Sequence, residues 1–268
     1  MTNVAAPTTP RTLAEHAAAA DALAAQGRWE DAYRSLRAAV RLVEQHPFTD
    51  YATAAELARL RREHAEAREQ SRRDCLTATY NRRYLDERLV ALLTDPAVTR
   101  AGLSLALVDA DHFKLINDTH GHLFGDQVLC RLVEALGANL PEGAFCARYG
   151  GEEFALVLPG HSLADAVQVC EAARARVAGY PWTRLHHSLR VTVSIGVVQS
   201  PVGTTDVESL IREADVLLYA AKQAGRNAVA YRAERTGLVQ LAGAAAGRRA
   251  VPQLSGARGD ARGGPIAV

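Results

Sequence analysis

The sequence predicts an α+β domain with a sheet layered against helices, preceded by an all-α segment. Three observations predict it. From about residue 81 to residue 231, strand-length apolar runs alternate with helical patterns. Two of those runs flank a glycine pair, a hairpin signature. Ahead of them, residues from about Thr12 to Gln45 and from about Tyr51 to Arg73 are alanine-rich and helical in pattern. In order, the pattern places a helix near 81–94, a strand at 103–110, a helix at 123–138 and hairpin strands near 144–159. A helix at 162–178, a strand at 190–199, a helix at 206–224 and a strand near Ala228–Tyr231 follow. Helices are expected to cover the sheet on one side.

The amino-terminal helices break at Gln26-Gly27-Arg28, and the spacing Gly27, Trp29, Ala32, Leu36, Ala39 resembles the second half of a tetratricopeptide repeat. One repeat cannot bury its own face, so either this or a plain helix pair must pack on something else. Tyr51–Arg73 reads as a connecting helix or short coiled coil, because apolar positions are sparse and Glu63, Glu66 and Glu69 interleave with arginines. Beyond Glu234 the chain is rich in Gly, Ala and Arg with few large apolar residues, the composition of a disordered tail. The expected organisation is therefore a helical region 1–50, a helical linker 51–73, a folded domain 74–233 and a tail 234–268.

Chemistry-bearing residues gather in three places. Arg148-Tyr149-Gly150-Gly151-Glu152-Glu153-Phe154 sets two glycines and two acids at a hairpin turn. Adjacent glycines reach the positive φ of a primed turn and let a ligand approach the backbone, while the acids can hold a metal; a plain turn with solvated acids is the alternative. Leu103–Val108 reads as a buried strand ending in Asp109-Ala110-Asp111, placed where a strand-terminal acid pair meets a cation. Beyond it, Asn117 and Asp118 beside Gly121, and Asp126 beside Gly125, can present amide and carboxylate groups to the edge of a base. Finally, Ala214–Gln223 reads as an amphipathic helix stopped by Gly225, with Lys222 and Arg226 at its end. Those cations either complement the helix terminus or clamp a triphosphate.

Together these residues resemble the GGDEF family of diguanylate cyclases. The match runs from Asp74–Thr77 and Asn81–Leu85 through Asp109 and Asn117 to Gly150–Phe154, Ser194–Val197 and Lys222–Asn227, in the family's order. The resemblance implies a palm-like, ferredoxin-related domain with an antiparallel central sheet flanked by helices. It also implies condensation of two GTP into cyclic di-GMP with release of pyrophosphate, by a homodimer meeting through its catalytic domains and amino-terminal helices. By motif, Asp109 and Glu152 are expected to hold magnesium, or manganese, with the carbonyl of Ala110. Glu153 is expected either to complete a second metal position or to hold the hairpin. Glu152 is the candidate for activating the attacking hydroxyl. Asn117 and Asp126 match guanine-reading positions, and His122 a substrate-contacting one. The amides of Phe113 and Lys114, with Lys222 and Arg226, are expected to cradle the β- and γ-phosphates, while Gly150 and Gly151 admit ribose and α-phosphate. His186 and His187 fall outside every motif and read as solvent-facing polar side chains.

The chain departs from the family's commonest pattern in three ways. Glu152 stands where the family name has Asp, and either acid can serve as a ligand. Ala110 replaces a larger aliphatic residue, of little consequence where a carbonyl is the ligand. The Arg-x-x-Asp pair that binds product in many members is replaced by Pro141, Glu142, Gly143 and Ala144. Inhibition by cyclic di-GMP at that place is therefore expected to be weak or absent.

Composition narrows the classes. With a net charge of +1 there is no strong pull toward nucleic acid or a membrane surface, and neither is expected as a partner. Cys75, Cys130, Cys146 and Cys170 are scattered without metal-ligand spacing and read as core residues of a reducing compartment. No apolar run reaches the ~18 residues of a membrane span and no export signal is visible, so a cytoplasmic location is expected.

Overall fold

The computed structural model describes residues 13–45, 51–200, 206–233 and 235–248. The chain forms two compact units, one up to Asn81 and one from Arg82.

The first unit holds α1 (Leu13–Ala25), α2 (Trp29–Gln45) and α3 (Tyr51–Gln70). Gly27, at φ +71°, follows the end of α1; its amide donates to the Ala24 carbonyl, and those of Gln26 and Arg28 donate to Leu23. Ala17, Ala20, Leu36 and Ala39 are buried together with Leu60 and Ala67 of α3. The charged helix is thus a third wall of this unit, where the sequence predicted a connector. The reason is economy: among its described side chains Leu60 and Ala67, seven residues apart, mark the buried face, a faint signal in a polar helix. After α3 the motif residues close their own loop. Asp74 Oδ1 accepts from the Thr77 amide and hydroxyl at 2.9 and 2.8 Å, and Asn81 Nδ2 donates to the carbonyls of Ser71 and Arg73.

The second unit begins with α4 (Arg82–Thr94), which buries Leu85, Leu89, Leu92 and Leu93, and α5 (Pro96–Ala101), capped by Asp95. The order then runs β1 (Leu103–Ala110), α6 (Phe113–His120), α7 (His122–Gly137), β2 (Phe145–Arg148), β3 (Glu153–Pro159), α8 (Leu163–Gly179), β4 (Val193–Gln199), α9 (Val207–Gln223), β5 (Val229–Arg232) and β6 (Val239–Leu241). The strands form one sheet in the order β2-β3-β1-β4-β5-β6. Pairing is antiparallel as expected except for β4 with β5, which are parallel because α9 carries the chain back across the sheet between them.

All eight residues of β1 are buried. Alternate residues of a strand point to opposite faces, so the sheet is covered on both, not on one side as the sequence predicted. On one face α9 presses close. Gly196 lies opposite Leu107, and a Cβ there would fall among the backbone atoms of Ala214, Leu217 and Leu218. The glycine of Ser194–Val197 is therefore a packing requirement.

Two further expectations are corrected. Residues 113–120, where the sequence pattern placed no element, form α6, whose buried positions Phe113 and Ile116 anchor a polar eight-residue helix by tertiary packing. The start of the predicted tail carries β6, and Leu241, Ala242 and Ala245 are buried against the domain. Few apolar residues suffice because the edge of β5 supplies ready backbone hydrogen bonds. The rest of that tail, 249–268, lies outside the described residues. None of the described helices is long and apolar enough to cross a membrane.

Candidate active site

The site is built where β1 ends. Asp109 is the penultimate residue of β1 and is 7 % exposed. The turn between β2 and β3 lies beside it, since Asp109 is paired with Glu153 and the Ala110 amide donates to the Glu152 carbonyl at 3.2 Å. The register thus sets the carbonyl-bearing Ala110 and both hairpin acids next to Asp109. From α9, Lys222 Nζ reaches Asp109 Oδ2 at 2.8 Å.

The hairpin turn is held differently from the expectation. Neither Gly150 nor Gly151 has positive φ, so this is not a primed turn. Instead, the amides of Tyr149 and Gly150 both donate to the Glu153 carbonyl, and the Arg148 guanidinium donates to the carbonyls of Gly150 and Gly151 at 2.7–3.2 Å. The Glu153 carboxylate packs over Gly150, where a Cβ would stand 2.5 Å from Glu153 Oε2 and make that carboxylate shift. Around Gly151 nothing lies within 4 Å of such an atom, which leaves that position open to approach.

Electrostatics single out the two acids. Burial raises the Asp109 carboxyl above its ordinary range, against the pull of Lys222, with the Asp111 charge adding to the rise. Burial also raises Glu152, and the Asp109 charge raises it further, again opposed by Lys222. Their negative charge is thus under-compensated by the protein, the setting in which a hard cation binds. Among the described residues no three His, Cys, Asp or Glu side chains form a closed cage. A cation held by Asp109 and Glu152 would complete its shell from backbone carbonyl, water or phosphate oxygens, which is magnesium's habit.

Asp111 has a different task from Asp109. It is buried and accepts from Thr192 Oγ1 at 2.7 Å, Ser194 Oγ at 2.7 Å and the Asn227 amide at 3.0 Å. The sequence paired it with Asp109 as a cation-facing acid; its oxygens are instead committed to stitching β1 to β4 and to the turn after α9. Asn227 is held in addition by Arg174 Nη1 at 2.6 Å. Arg148, Asp111 and Arg174 were missed as supports of the site. Arg174 left no signal, because one arginine in a polar helix looks like any other.

The remaining predicted residues lie on α6, α7 and the end of α9. The amides of Phe113 and Lys114 open α6, in the first turn where a helix leaves its N–H groups without internal partners. The Lys114 side chain turns away to Asp118 at 3.0 Å. Asn117 sits beneath Gly125 of α7; a Cβ at Gly125 would collide with Asn117 Oδ1, and that buried oxygen accepts no hydrogen bond from the protein. Asp126 follows Gly125 and is half-buried, while His122 is exposed at the start of α7. His186, read as a solvent-facing side chain, meets His120 at the end of α6 in a tilted ring contact with centroids 4.7 Å apart. Arg226 follows Gly225 at φ +60°, and its charge acts on Asp109. A larger cavity of about 580 Å³ lies between Gly102, Gln199, Leu210 and Arg232 and contains none of the predicted residues.

The sequence profile described as "Diguanylate cyclase, GGDEF domain" matches residues 71–228, more than half of the chain. The chain belongs to the GGDEF family. Response regulator PleD of Caulobacter vibrioides is 41% identical over 158 residues, 58% of this chain and 35% of PleD. The chain thus spans about a third of that relative. Among solved structures, the coiled coil and GGDEF domain of DgcB from Caulobacter crescentus, in complex with c-di-GMP, superposes with a TM-score of 0.61 at 32% identity, covering 67% of this chain and 95% of that one. The structure described as the active GGEEF domain of a diguanylate cyclase from Vibrio cholerae gives 0.54 at 34% identity, covering 57% and 97%. The mixed sheet carries Asp109 near the end of β1, and the turn between β2 and β3 carries Glu152 beside Glu153.

Proposed function

We propose that this GGDEF protein is a diguanylate cyclase that joins two molecules of GTP into cyclic di-GMP, in the cytoplasm, as a bacterial second-messenger enzyme. The observation that carries this reading is the juxtaposition of Asp109, Glu152 and Lys222, with both carboxyls raised by burial, Asp109 further by the Asp111 charge and Glu152 further by the Asp109 charge. The Vibrio cholerae domain described as active supports Glu in the third hairpin place.

Each of the two steps forms a bond from a ribose 3′-oxygen to an α-phosphorus and breaks the α–β bridge, so each GTP releases one pyrophosphate and one 3′-hydroxyl proton. Asp109, Glu152 and the Ala110 carbonyl would hold magnesium, or manganese, which when bound neutralises phosphate charge and polarises the α-phosphorus. Glu152 takes the hydroxyl proton, a role favoured by its raised affinity for protons. Glu153 keeps the turn in shape by lying against Gly150. The first-turn amides of Phe113 and Lys114, with Lys222 and Arg226, hold the outgoing phosphates. Gly151 leaves room for ribose and α-phosphate. Asn117, whose free buried oxygen needs a donor, and Asp126 read the guanine edge, with His122 at the rim.

One domain supplies one such site, and the product needs two nucleotides face to face. The active species is therefore a homodimer, assembled through the catalytic domains and aided by the amino-terminal helices. Purified protein with GTP and magnesium should yield cyclic di-GMP and pyrophosphate, identified by chromatography and mass spectrometry. Turnover should stay within about twofold as product accumulates to many times the enzyme concentration, because Pro141–Ala144 lack the inhibitory pair. GTP binding without product, even after dimerisation is forced through the amino-terminal helices, would replace this reading by a nucleotide-binding effector.

The base-reading residues give a sharper test. Alanine at a helix interior normally stabilises relative to glycine. In Gly125→Ala the new methyl would strike Asn117 Oδ1 and stand 3.1 Å from Phe113 Cζ, forcing Asn117 out of place. The variant should raise the KM for GTP about five- to a hundredfold, by the 1–3 kcal/mol of an overpacked site. An unchanged KM would remove Asn117 from base recognition.

A further inference from the structure

Gly225, Arg226 and Asn227 have φ of +100°, +60° and +45°. Only the first is a glycine, and side chains with a Cβ persist there only when the surroundings hold them. The holds are visible. The Asn227 amide donates to Asp111, and Arg174 donates to Asn227 Oδ1 while Glu171 orients Arg174 through two bonds of 2.8 and 2.7 Å. Arg248 Nη1 donates to the Arg226 carbonyl at 2.6 Å.

Arg248 belongs to the segment after β6, beyond the residues that the family profile matches. That segment is seated firmly. Val239 pairs with Arg232, the Ala242 amide donates to the Val229 carbonyl at 2.9 Å, and Leu241, Ala242 and Ala245 are buried. Gly243, at φ +56°, packs so closely on the Glu171 carboxylate that a Cβ there would collide with it. The segment therefore touches the Arg226 turn directly through Arg248, and its Asn227 support through Glu171 and Arg174.

We propose that residues 239–248 are a working part of the phosphate end of the site, with Arg248 a positioning residue that holds the left-handed Arg226 turn so that the Arg226 guanidinium faces the nucleotide. This rests on the phosphate-binding reading of Arg226 given above. An unbraced turn would spread Arg226 over orientations that miss the phosphates, and affinity would fall while the chemical step, run by Asp109 and Glu152, would not.

The test is a double-mutant cycle in the full chain: unchanged protein, Arg248→Met, Arg226→Ala and the double variant, with Arg248→Lys as the conservative control. Each is measured by calorimetry in magnesium for affinity toward a GTP analogue that cannot be cleaved between the α- and β-phosphorus, and by turnover of GTP. Arg248→Met should weaken binding and raise KM about three- to tenfold, as expected for loss of one charge-assisted hydrogen bond at an exposed site, with kcat within twofold. In the Arg226→Ala background the same substitution should change nothing, and Arg248→Lys should bind within about twofold of the unchanged protein. Equal weakening in both backgrounds would overturn the proposal, because Arg248 would then act without Arg226. So would an unchanged Arg248→Met beside a weakened Arg226→Ala, a result that leaves the phosphate reading standing. If Arg226→Ala binds normally, that reading fails and the positioning role falls with it.

Discussion

Replacing Glu152 with alanine is expected to lower cyclic di-GMP formation by about a thousandfold or more, the range reached when a positioned proton acceptor is removed and a metal ligand goes with it. The fold should not notice. Glu152 is half-buried at a turn whose backbone is held by Arg148 and by the Glu153 carbonyl, and its own charge is disfavoured by burial and by Asp109. Its removal takes away an opposing contribution rather than a partner, so the melting temperature should stay within a few degrees. Glu152→Gln, of equal size but unable to take a proton, should be as inactive as the alanine variant. Glu152→Asp keeps a carboxylate and should retain measurable turnover. Product quantified by chromatography beside a thermal melt checks all three. An alanine variant within about tenfold of normal turnover would remove Glu152 from the chemistry.

Two aspartates separated by one residue should give opposite outcomes. Asp109→Asn is expected to abolish turnover at little or no cost in stability, since Lys222, 29 % exposed, can turn to water when its partner's charge is gone. Asp111→Asn is expected to cost about 2–4 kcal/mol, because an amide cannot accept from all of Thr192, Ser194 and Asn227, and buried donors are left without partners. For a domain of this size that lowers the melting temperature by roughly 5–15 °C. A pH series separates the two further. Burial raises Asp109 and Glu152, so their ionisation opposes folding: the stability they allow is full below the ordinary carboxyl range and declines as pH rises through their raised values. Magnesium should restore stability at neutral pH in the unchanged protein and in Asp111→Asn, but not in Asp109→Asn. Melting curves with and without magnesium at pH 5 and 7.5 measure this. An Asp109→Asn protein that still gains stability from magnesium would displace Asp109 as a ligand.

How much of this could be read from the chain depends on the range of the forces involved. Strand β1, the hairpin on either side of Gly150-Gly151 and helix α9 were legible because apolar runs, turn glycines and a helix stop act over a few neighbouring residues. The acids at the end of β1 and at the turn were legible for the same reason: their placement follows from strand and turn alone. Helix α6 was not, because its stability comes from burying Phe113 and Ile116 against the rest of the domain rather than from its own polar sequence. Nor was β6, which pairs with an edge that exists only once β5 is in place.

By itself the sequence determined which residues could carry chemistry and in what order they come, since side-chain type, turn glycines and apolar periodicity are local properties. Only the tertiary structure decided which of them meet. It gave Lys222 to Asp109, committed Asp111 to Thr192, Ser194 and Asn227, and placed Gly125 over Asn117. It also brought Arg248 back to the Arg226 turn. Each of these joins residues far apart in the chain or sets a backbone angle that a neighbour must hold, and such pairings arise from packing and from the need of every buried polar group for a partner.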